Sequence, residues 1–104
     1  MTPAEIGKFI AADIKANGHY KDDGAPLTGR GMSCVIINPH WNHLDVHARD
    51  EFSTAVCKRA GLPVVNKIRY LSDDTTASYV STVPITEWND RTPTPDVIAV
   101  LEDL

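Results

Sequence analysis

One stretch of the sequence specifies more local structure than any other, and it reads Ile85-Thr-Glu-Trp-Asn-Asp-Arg-Thr-Pro-Thr-Pro-Asp-Val-Ile-Ala-Val-Leu-Glu-Asp-Leu104. Its Asn-Asp pair is typical of a turn, and each of the two Thr-Pro pairs can cap a helix, because proline suits the first helical position. Apolar residues then recur at helical spacing. The stretch therefore predicts a turn and then a helix near residues 95–103, which Trp88 anchors to the core.

The N-terminal segment predicts a first helix near residues 2–17. Thr2 and Glu5 can form a capping box around a proline at the first helical position. Apolar residues follow at helical spacing, namely Ile6, Phe9, Ile10 and Ile14. Gly18 then supplies the left-handed residue that commonly ends a helix.

A second helix is predicted within residues 40–60, where apolar residues again recur at helical spacing. It begins either at Pro39, with Asn38 as its cap, or later at Asp45. In both cases Gly61 and the nearby proline end it.

Three segments near residues 32–37, 64–70 and 78–85 are predicted to be extended. The first is a short β-branched apolar run, the second fits either a helix or a strand, and the third alternates polar and apolar residues. Pro84 restricts the third to a sheet edge, because proline cannot donate to a central ladder. We therefore expect one α+β domain over residues 1–104, with three helices and two or three short strands. An all-α domain is the alternative.

The composition argues against several classes of function. Of the 104 residues, Lys and Arg contribute 10 and Asp and Glu 14, and the cations form no cluster. Nucleic-acid binding is therefore not expected, since it needs several cations close together to neutralise phosphates. No apolar run approaches the ~20 residues of a membrane span, and the N-terminus lacks the pattern of a signal peptide. Cys34 and Cys57 are then expected to be reduced thiols in a cytoplasm.

Three histidines are the clearest candidate for chemistry. On a continuous helix, His40, His43 and His47 would share one face, within reach of a single ion. Imidazole nitrogens at such steps are typical ligands of zinc or nickel. The interpretation without a functional role is that they are partly exposed polar residues beside the apolar stripe. No fourth ligand is fixed, so no cofactor is assigned, and a zinc site is the alternative.

A few other side chains are candidates for binding or catalysis. Trp41 would be left partly exposed, and available to a partner, if the second helix packs only through its later turns. His19 and Tyr20 begin a loop over residues 19–31 that offers a second candidate surface. Cys34 could pair with a histidine as a nucleophile. Its apolar surroundings disfavour the thiolate, and burial of a small side chain explains it better.

A Trp-Asn-Asp motif, formed by Trp88, Asn89 and Asp90, precedes a terminal helix that contains Val97-Ile-Ala-Val-Leu101. In this arrangement the chain resembles a family of small uncharacterised proteins of actinobacteria and their phages. The same motif residues can all be explained by the fold, with the tryptophan packing the last helix onto the core.

The front half of the chain resembles this family more loosely. Gly18-His19-Tyr20 follows the first helix, and Gly29-Arg-Gly-Met-Ser-Cys34 forms a Gly/Arg-rich approach to a cysteine. Val35-Ile36-Ile37 replaces the Gly-Ala that usually follows the family's cysteine. Because the family has no established activity, the resemblance implies a setting only. That setting is an accessory protein of a phage or an actinobacterium, acting in the bacterial cytoplasm.

These observations predict a small non-catalytic protein that acts by binding another protein, expected to be a protein of the bacterial host. The alternative is a metal-binding protein or a metal-dependent enzyme that uses His40, His43 and His47.

Overall fold

The computed structural model describes residues 1–21, 33–71 and 74–104, and these residues form four α-helices and a two-stranded sheet. In chain order the elements are α1 (Pro3–Asn17), α2 (Val46–Ala60), β1 (Asn66–Tyr70), β2 (Thr76–Val80), α3 (Val83–Arg91) and α4 (Thr94–Glu102), with a short 3-10 helix at Trp41–His43. The predicted α+β class is confirmed, and the all-α alternative is wrong. Most of the predicted loop over residues 19–31 lies outside the described residues.

Helix α1 forms where its capping signals place it. The Glu5 N–H donates to Thr2 Oγ1 at 3.2 Å, and the Glu5 carboxylate accepts from the Thr2 N–H at 3.1 Å. At the other end Gly18 has φ +98°, a conformation that costs glycine little, and its N–H donates to the Ile14 carbonyl. The predicted bounds of 2–17 are therefore confirmed to within one residue.

The core lies between α1 and the helices that pack on it, α2 and α4. Its fully buried side chains include Ile6, Ile10, Phe52, Val56, Ile85, Val97 and Leu101. Burial of each such side chain contributes about 1.5–3 kcal/mol relative to leaving it exposed. Gly7 allows α1 and α4 to approach closely, because a Cβ there would stand 2.3 Å from the Leu101 carbonyl oxygen.

Helix α2 takes the later of the two predicted starts. The Asp45 carboxylate accepts from the Ala48 N–H at 2.7 Å, so Asp45 is the N-cap, and Gly61 ends the helix in the left-handed conformation. The residues Trp41–His43 form a separate 3-10 turn before it. The earlier start at Pro39 is wrong, and no continuous helix covers residues 40–47.

Residues 33–37, the described part of the predicted extended segment 32–37, do not form a strand, so the prediction is wrong for them. Among these residues only Ser33 pairs, in an isolated bridge with His19. The Asn38 side chain satisfies the local backbone instead. Its amide donates to the Cys34 and Val35 carbonyls, and its oxygen accepts from two N–H groups at the start of the 3-10 turn. These side-chain hydrogen bonds occupy backbone groups that would otherwise pair with a neighbouring strand.

The predicted extended segment 78–85 is correct only for its first part, because strand β2 ends at Val80 and helix α3 begins at Val83. Pro84 lies in the first turn of α3, where no backbone N–H is needed. Asn89 and Asp90 consequently lie inside a helix, and the predicted turn there is wrong. Helix α3 is therefore a fourth helix beyond the three that were expected.

Helix α4 forms at the predicted place, but neither threonine caps it. Pro93 occupies the N-cap position and has no side-chain acceptor. The Thr94 hydroxyl lies at the first helical position and bonds to His19 instead. The predicted Thr-Pro caps are therefore wrong, although Pro95 does lie in the first turn of the helix.

Strands β1 and β2 form an antiparallel hairpin, which confirms the extended prediction for residues 64–70. In its register Ile68 stands opposite Ser78, and Tyr70 stands opposite Thr76. The hairpin contacts the rest of the molecule mainly through β2 and α2. Strand β2 thus packs against α2, and strand β1 forms the outer edge of the hairpin.

Candidate functional site

The outer strand of the hairpin exposes apolar side chains. All five residues of β1 are exposed, and the exposed fractions reach 66% for Ile68 and 83% for Tyr70. Because side chains alternate along a strand, these two share one face. Exposed apolar residues also flank the strand. The set, here named the hairpin apolar surface, consists of Val64, Val65, Ile68, Tyr70 and Leu71.

The same strand has an unpaired backbone edge. The Ser81 N–H donates to the Val65 carbonyl at 2.7 Å, and the Leu71 N–H donates to the Thr75 carbonyl at 2.9 Å. Bonded and non-bonded pairs alternate in an antiparallel ladder, so the even-numbered residues of β1 direct their N–H and C=O groups away from β2. Among the described residues no strand pairs with this outer edge.

A cleft of about 200 Å³ lies between the hairpin and α2. Trp41 forms part of its wall and packs edge-on against Phe52, with ring centroids 6.3 Å apart. The Arg49 guanidinium lies 5.3 Å from the Trp41 ring centroid, and the Arg69 guanidinium lies 5.3 Å from that of Tyr79. Trp41 is therefore half-buried beside the hairpin, as the partner-binding hypothesis for this residue requires.

The polar groups of the cleft also hold the hairpin in place. Asp50 on α2 accepts a hydrogen bond at 3.1 Å from the Val80 N–H, which points away from β1. Ser53, on the next part of α2, is buried, and its hydroxyl has no hydrogen-bond partner within the described part of the chain. The hydrogen bond between Asp50 and Val80 thus holds the hairpin next to α2, with the cleft between them.

His19, a predicted partner-binding residue, is held on both ring nitrogens. Its Nε2 lies 2.7 Å from Asn89 Oδ1, and its Nδ1 lies 2.8 Å from Thr94 Oγ1. Because the Asn89 amide nitrogen donates to the Tyr20 carbonyl at 2.9 Å, the Asn89 oxygen is the acceptor and His19 Nε2 donates. Burial lowers the pKa of His19 below its ordinary value, and the Lys21 charge acts in the same direction, so the neutral ring is favoured. His19 joins the segment after α1 to α3 and α4.

Tyr20, the other predicted partner-binding residue in this segment, packs partly against the core. It also lines a second cavity of about 180 Å³ together with Cys34, Thr86 and Asp90. Cys34 Sγ accepts N–H groups from Ile37 at 2.9 Å and Ile36 at 3.3 Å. Burial nevertheless raises the pKa of the Cys34 thiol, so the thiol form dominates at neutral pH, as the sequence led us to expect.

The three histidines do not share a helix face. His40 lies before the 3-10 turn with Nε2 2.6 Å from Asp13 Oδ2, and His47 on α2 has Nε2 2.9 Å from Glu51 Oε1. His43 ends the 3-10 turn. Within residues 1–21, 33–71 and 74–104, no group of three or more His, Cys, Asp or Glu side chains could hold a metal ion. The helix geometry on which the metal hypothesis depends is therefore absent.

Two residues of the Trp-Asn-Asp motif, Trp88 and Asn89, lie in the interior, and Asp90 is half-buried. Trp88 is 7% exposed and Asn89 is 1% exposed, and together with Ile85 they form the buried face of α3. Trp88 is confirmed as a core residue, although α3 is the element that carries it. Trp88 and Asn89 join α3 to the remainder of the fold, Trp88 through the core and Asn89 through hydrogen bonds to His19, Tyr20 and Val35.

Comparisons with known proteins do not assign the chain to a family. No family model, no curated protein and no solved structure matches the chain. None of the described helices is long and apolar enough to cross a membrane.

The sequence interpretation did not single out Ile68 and Tyr70 as functional residues. A signal was present, because apolar residues alternate there with the cations Lys67 and Arg69. The alternation was weak evidence, since the same segment also fitted a helix.

Proposed function

We propose that the protein is a small non-catalytic binding module whose partner docks on the hairpin apolar surface. The observation that carries this proposal is the exposure of Ile68 and Tyr70 on one face of β1, beside an unpaired backbone edge. Contiguous exposed apolar residues of this kind mark interaction sites. An exposed apolar edge strand is also an aggregation hazard when nothing covers it.

The cleft supports the same location. Trp41 and Tyr79 line its walls, and tryptophan, tyrosine and arginine are the residues that most often dominate binding energy at protein interfaces. Arg69 and Tyr79 belong to the hairpin face opposite Ile68 and Tyr70, so a partner that adds to the outer edge of β1 contacts both faces. The cleft therefore offers anchor positions on one face of the hairpin, and Ile68 and Tyr70 supply contact area on the other.

The setting that we propose is the cytoplasm of an actinobacterium, with a host protein as partner and phage or bacterial origin for the chain. Its support is the resemblance at the motif of Trp88, Asn89 and Asp90. Small size and an acidic net charge agree with an accessory protein that binds another protein.

Affinity capture from an actinobacterial lysate tests the proposal. The wild-type protein is compared with the double variant Ile68→Thr/Tyr70→Thr, which keeps strand-forming residues but removes the apolar face. The matched control is Ile37→Thr/Val83→Thr, since these two exposed apolar side chains lie off the hairpin. We expect a specific protein to be retained by the wild type and the control and lost by the hairpin variant.

Two results would contradict the proposal. One is retention of the same proteins by the hairpin variant and the wild type. The other is failure of the wild type to retain any specific protein. Circular dichroism melts of all three proteins establish that the hairpin variant is still folded.

A further inference from the structure

Given the function proposed above, on which this step rests, we propose that the partner supplies an extended acidic segment that adds as a third strand to the outer edge of β1. The edge offers the N–H and C=O groups of Asn66, Ile68 and Tyr70, which point away from β2. Main-chain bonding of an extended peptide to such an edge is a common mode of recognition, with side chains at alternate positions giving specificity.

The charge on β1 selects the chemistry of the added strand. Lys67 and Arg69 are exposed and alternate with Ile68 and Tyr70, so they project on the opposite face. Neither cation forms an ion pair with a described residue; Arg69 instead lies over the Tyr79 ring. Residues of the added strand that stand directly across from these cations are stabilised if they are Asp or Glu. Residues across from Ile68 and Tyr70 lie on the apolar face.

A second copy of the chain is a poorer occupant. In any antiparallel register that pairs the outward N–H and C=O groups of two β1 strands over more than one residue, Lys67 or Arg69 stands directly opposite a cation of the other copy. Like charges in that position are destabilising. Cations on an edge strand are one of the devices by which proteins prevent edge-to-edge self-pairing. Pairing of β1 with the β1 strand of a second copy is therefore disfavoured, whereas a segment that alternates apolar and acidic residues fits the edge.

The test uses an eight-residue peptide of alternating Val and Glu, acetylated and amidated at its ends, and a matched peptide with Lys in place of Glu. Both are titrated into isotopically labelled protein, and NMR gives binding and the exchange rate of each backbone amide. The Val/Glu peptide should slow exchange at the Asn66, Ile68 and Tyr70 amides, which face solvent in the free protein. It should bind about tenfold more tightly than the Val/Lys peptide.

Two variants refine the test. Lys67→Glu/Arg69→Glu should reverse the order of the two peptides. Asn66→Pro removes an outward N–H that takes no part in the β1–β2 ladder, and it should weaken binding, whereas Asn66→Thr keeps the N–H and should not.

Several results would overturn the inference. One is equal binding of the two peptides. Another is that the Val/Glu peptide does not slow exchange at the three outward amides. Protection of those amides that rises with protein concentration alone would assign the edge to a second copy. Protection by an oligothymidine but not by the Val/Glu peptide would assign it to nucleic acid. If lysate capture still depends on Ile68 and Tyr70 while the peptide fails, the acidic strand is wrong and the proposed function stands.

Discussion

Replacing Asn89 with alanine tests whether the Trp-Asn-Asp motif serves the fold or a partner. Asn89 is 1% exposed, and its side chain accepts from the Val35 N–H at 3.3 Å and donates to the Tyr20 carbonyl at 2.9 Å. Alanine leaves both backbone groups without this partner. It also removes the acceptor of the His19 ring, which lies 2.7 Å away. The segment after α1 would then lose its hydrogen bonds to the Asn89 side chain of α3.

The expected loss is large for a single polar side chain. Leaving a buried donor or acceptor unsatisfied costs about 1–3 kcal/mol, so the buried Val35 N–H and the partly buried Tyr20 carbonyl together predict a fall of about 3 kcal/mol in the free energy of unfolding. For a domain of about 100 residues, each kcal/mol lowers Tm by about 4–8 °C, which gives a fall of about 12–24 °C. Urea and thermal unfolding followed by circular dichroism measure both quantities.

The matched control for this variant is Asn42→Ala, because Asn42 is exposed in the 3-10 turn. Its effect should stay within about 0.5 kcal/mol. A loss below about 1 kcal/mol for Asn89→Ala would refute the reasoning, since the buried bonds would then contribute too little for the motif to be explained by the fold.

Three further predictions follow from the interior. Gly7→Ala should lower the free energy of unfolding by about 2 kcal/mol, because the new Cβ would stand 2.3 Å from the Leu101 carbonyl oxygen; urea unfolding measures this. Burial lowers the pKa of His19 below 6.5 in the folded protein, so the unfolded chain binds the proton more tightly. The free energy of unfolding should therefore fall as the pH drops below about 6.5 towards the folded pKa, as urea unfolding between pH 7.5 and 5 would show. Burial raises the pKa of the Cys34 and Cys57 thiols, so a thiol reagent at pH 8 should label them slowly in the native protein and rapidly in urea.

Each of these predictions has a contrary outcome. On helix propensity alone a glycine-to-alanine change inside a helix gains about 0.5–1 kcal/mol, so a more stable Gly7→Ala protein would mean that α1 and α4 do not approach closely. His19→Gln should show a shallower pH dependence than the wild type, and an unchanged slope would assign that dependence to other groups. Rapid native labelling of Cys34 would show that the thiol is accessible and ionised.

The parts of the fold that the sequence predicted are those with local causes. The capping box of Thr2 and Glu5, the Asp45 cap and the terminating glycines at 18 and 61 all act within a few residues of their own element. Helix α3 also had a local signal, because Ile85, Trp88 and Asn89 recur at helical spacing. In the prediction, the alternation of polar and apolar residues before Pro84 outweighed that helical spacing and favoured an extended segment.

The parts that the sequence could not place depend on residues distant in the chain. The Thr94 hydroxyl bonds to His19, 75 positions away, and so does not cap its own helix. The candidate site is of the same kind. The exposure of β1 depends on α2 contacting β2 instead, through the Asp50 carboxylate and the Val80 N–H. Nothing in the local pattern of residues 64–70 determines which side of the hairpin is covered.

A competing explanation for Ile68 and Tyr70 is that they stabilise the hairpin itself. Isolated two-stranded hairpins are marginal, and cross-strand pairs with aromatic or β-branched residues contribute roughly 0.2–1 kcal/mol each. Tyr70 stands across from Thr76 and forms one pair of this kind, whereas Ile68 stands across from Ser78, which offers little apolar surface. Threonine keeps the strand propensity of both positions. If hairpin stability were their role, Ile68→Thr/Tyr70→Thr would lower Tm and partner retention together; a binding role separates the two, with retention lost at nearly unchanged Tm.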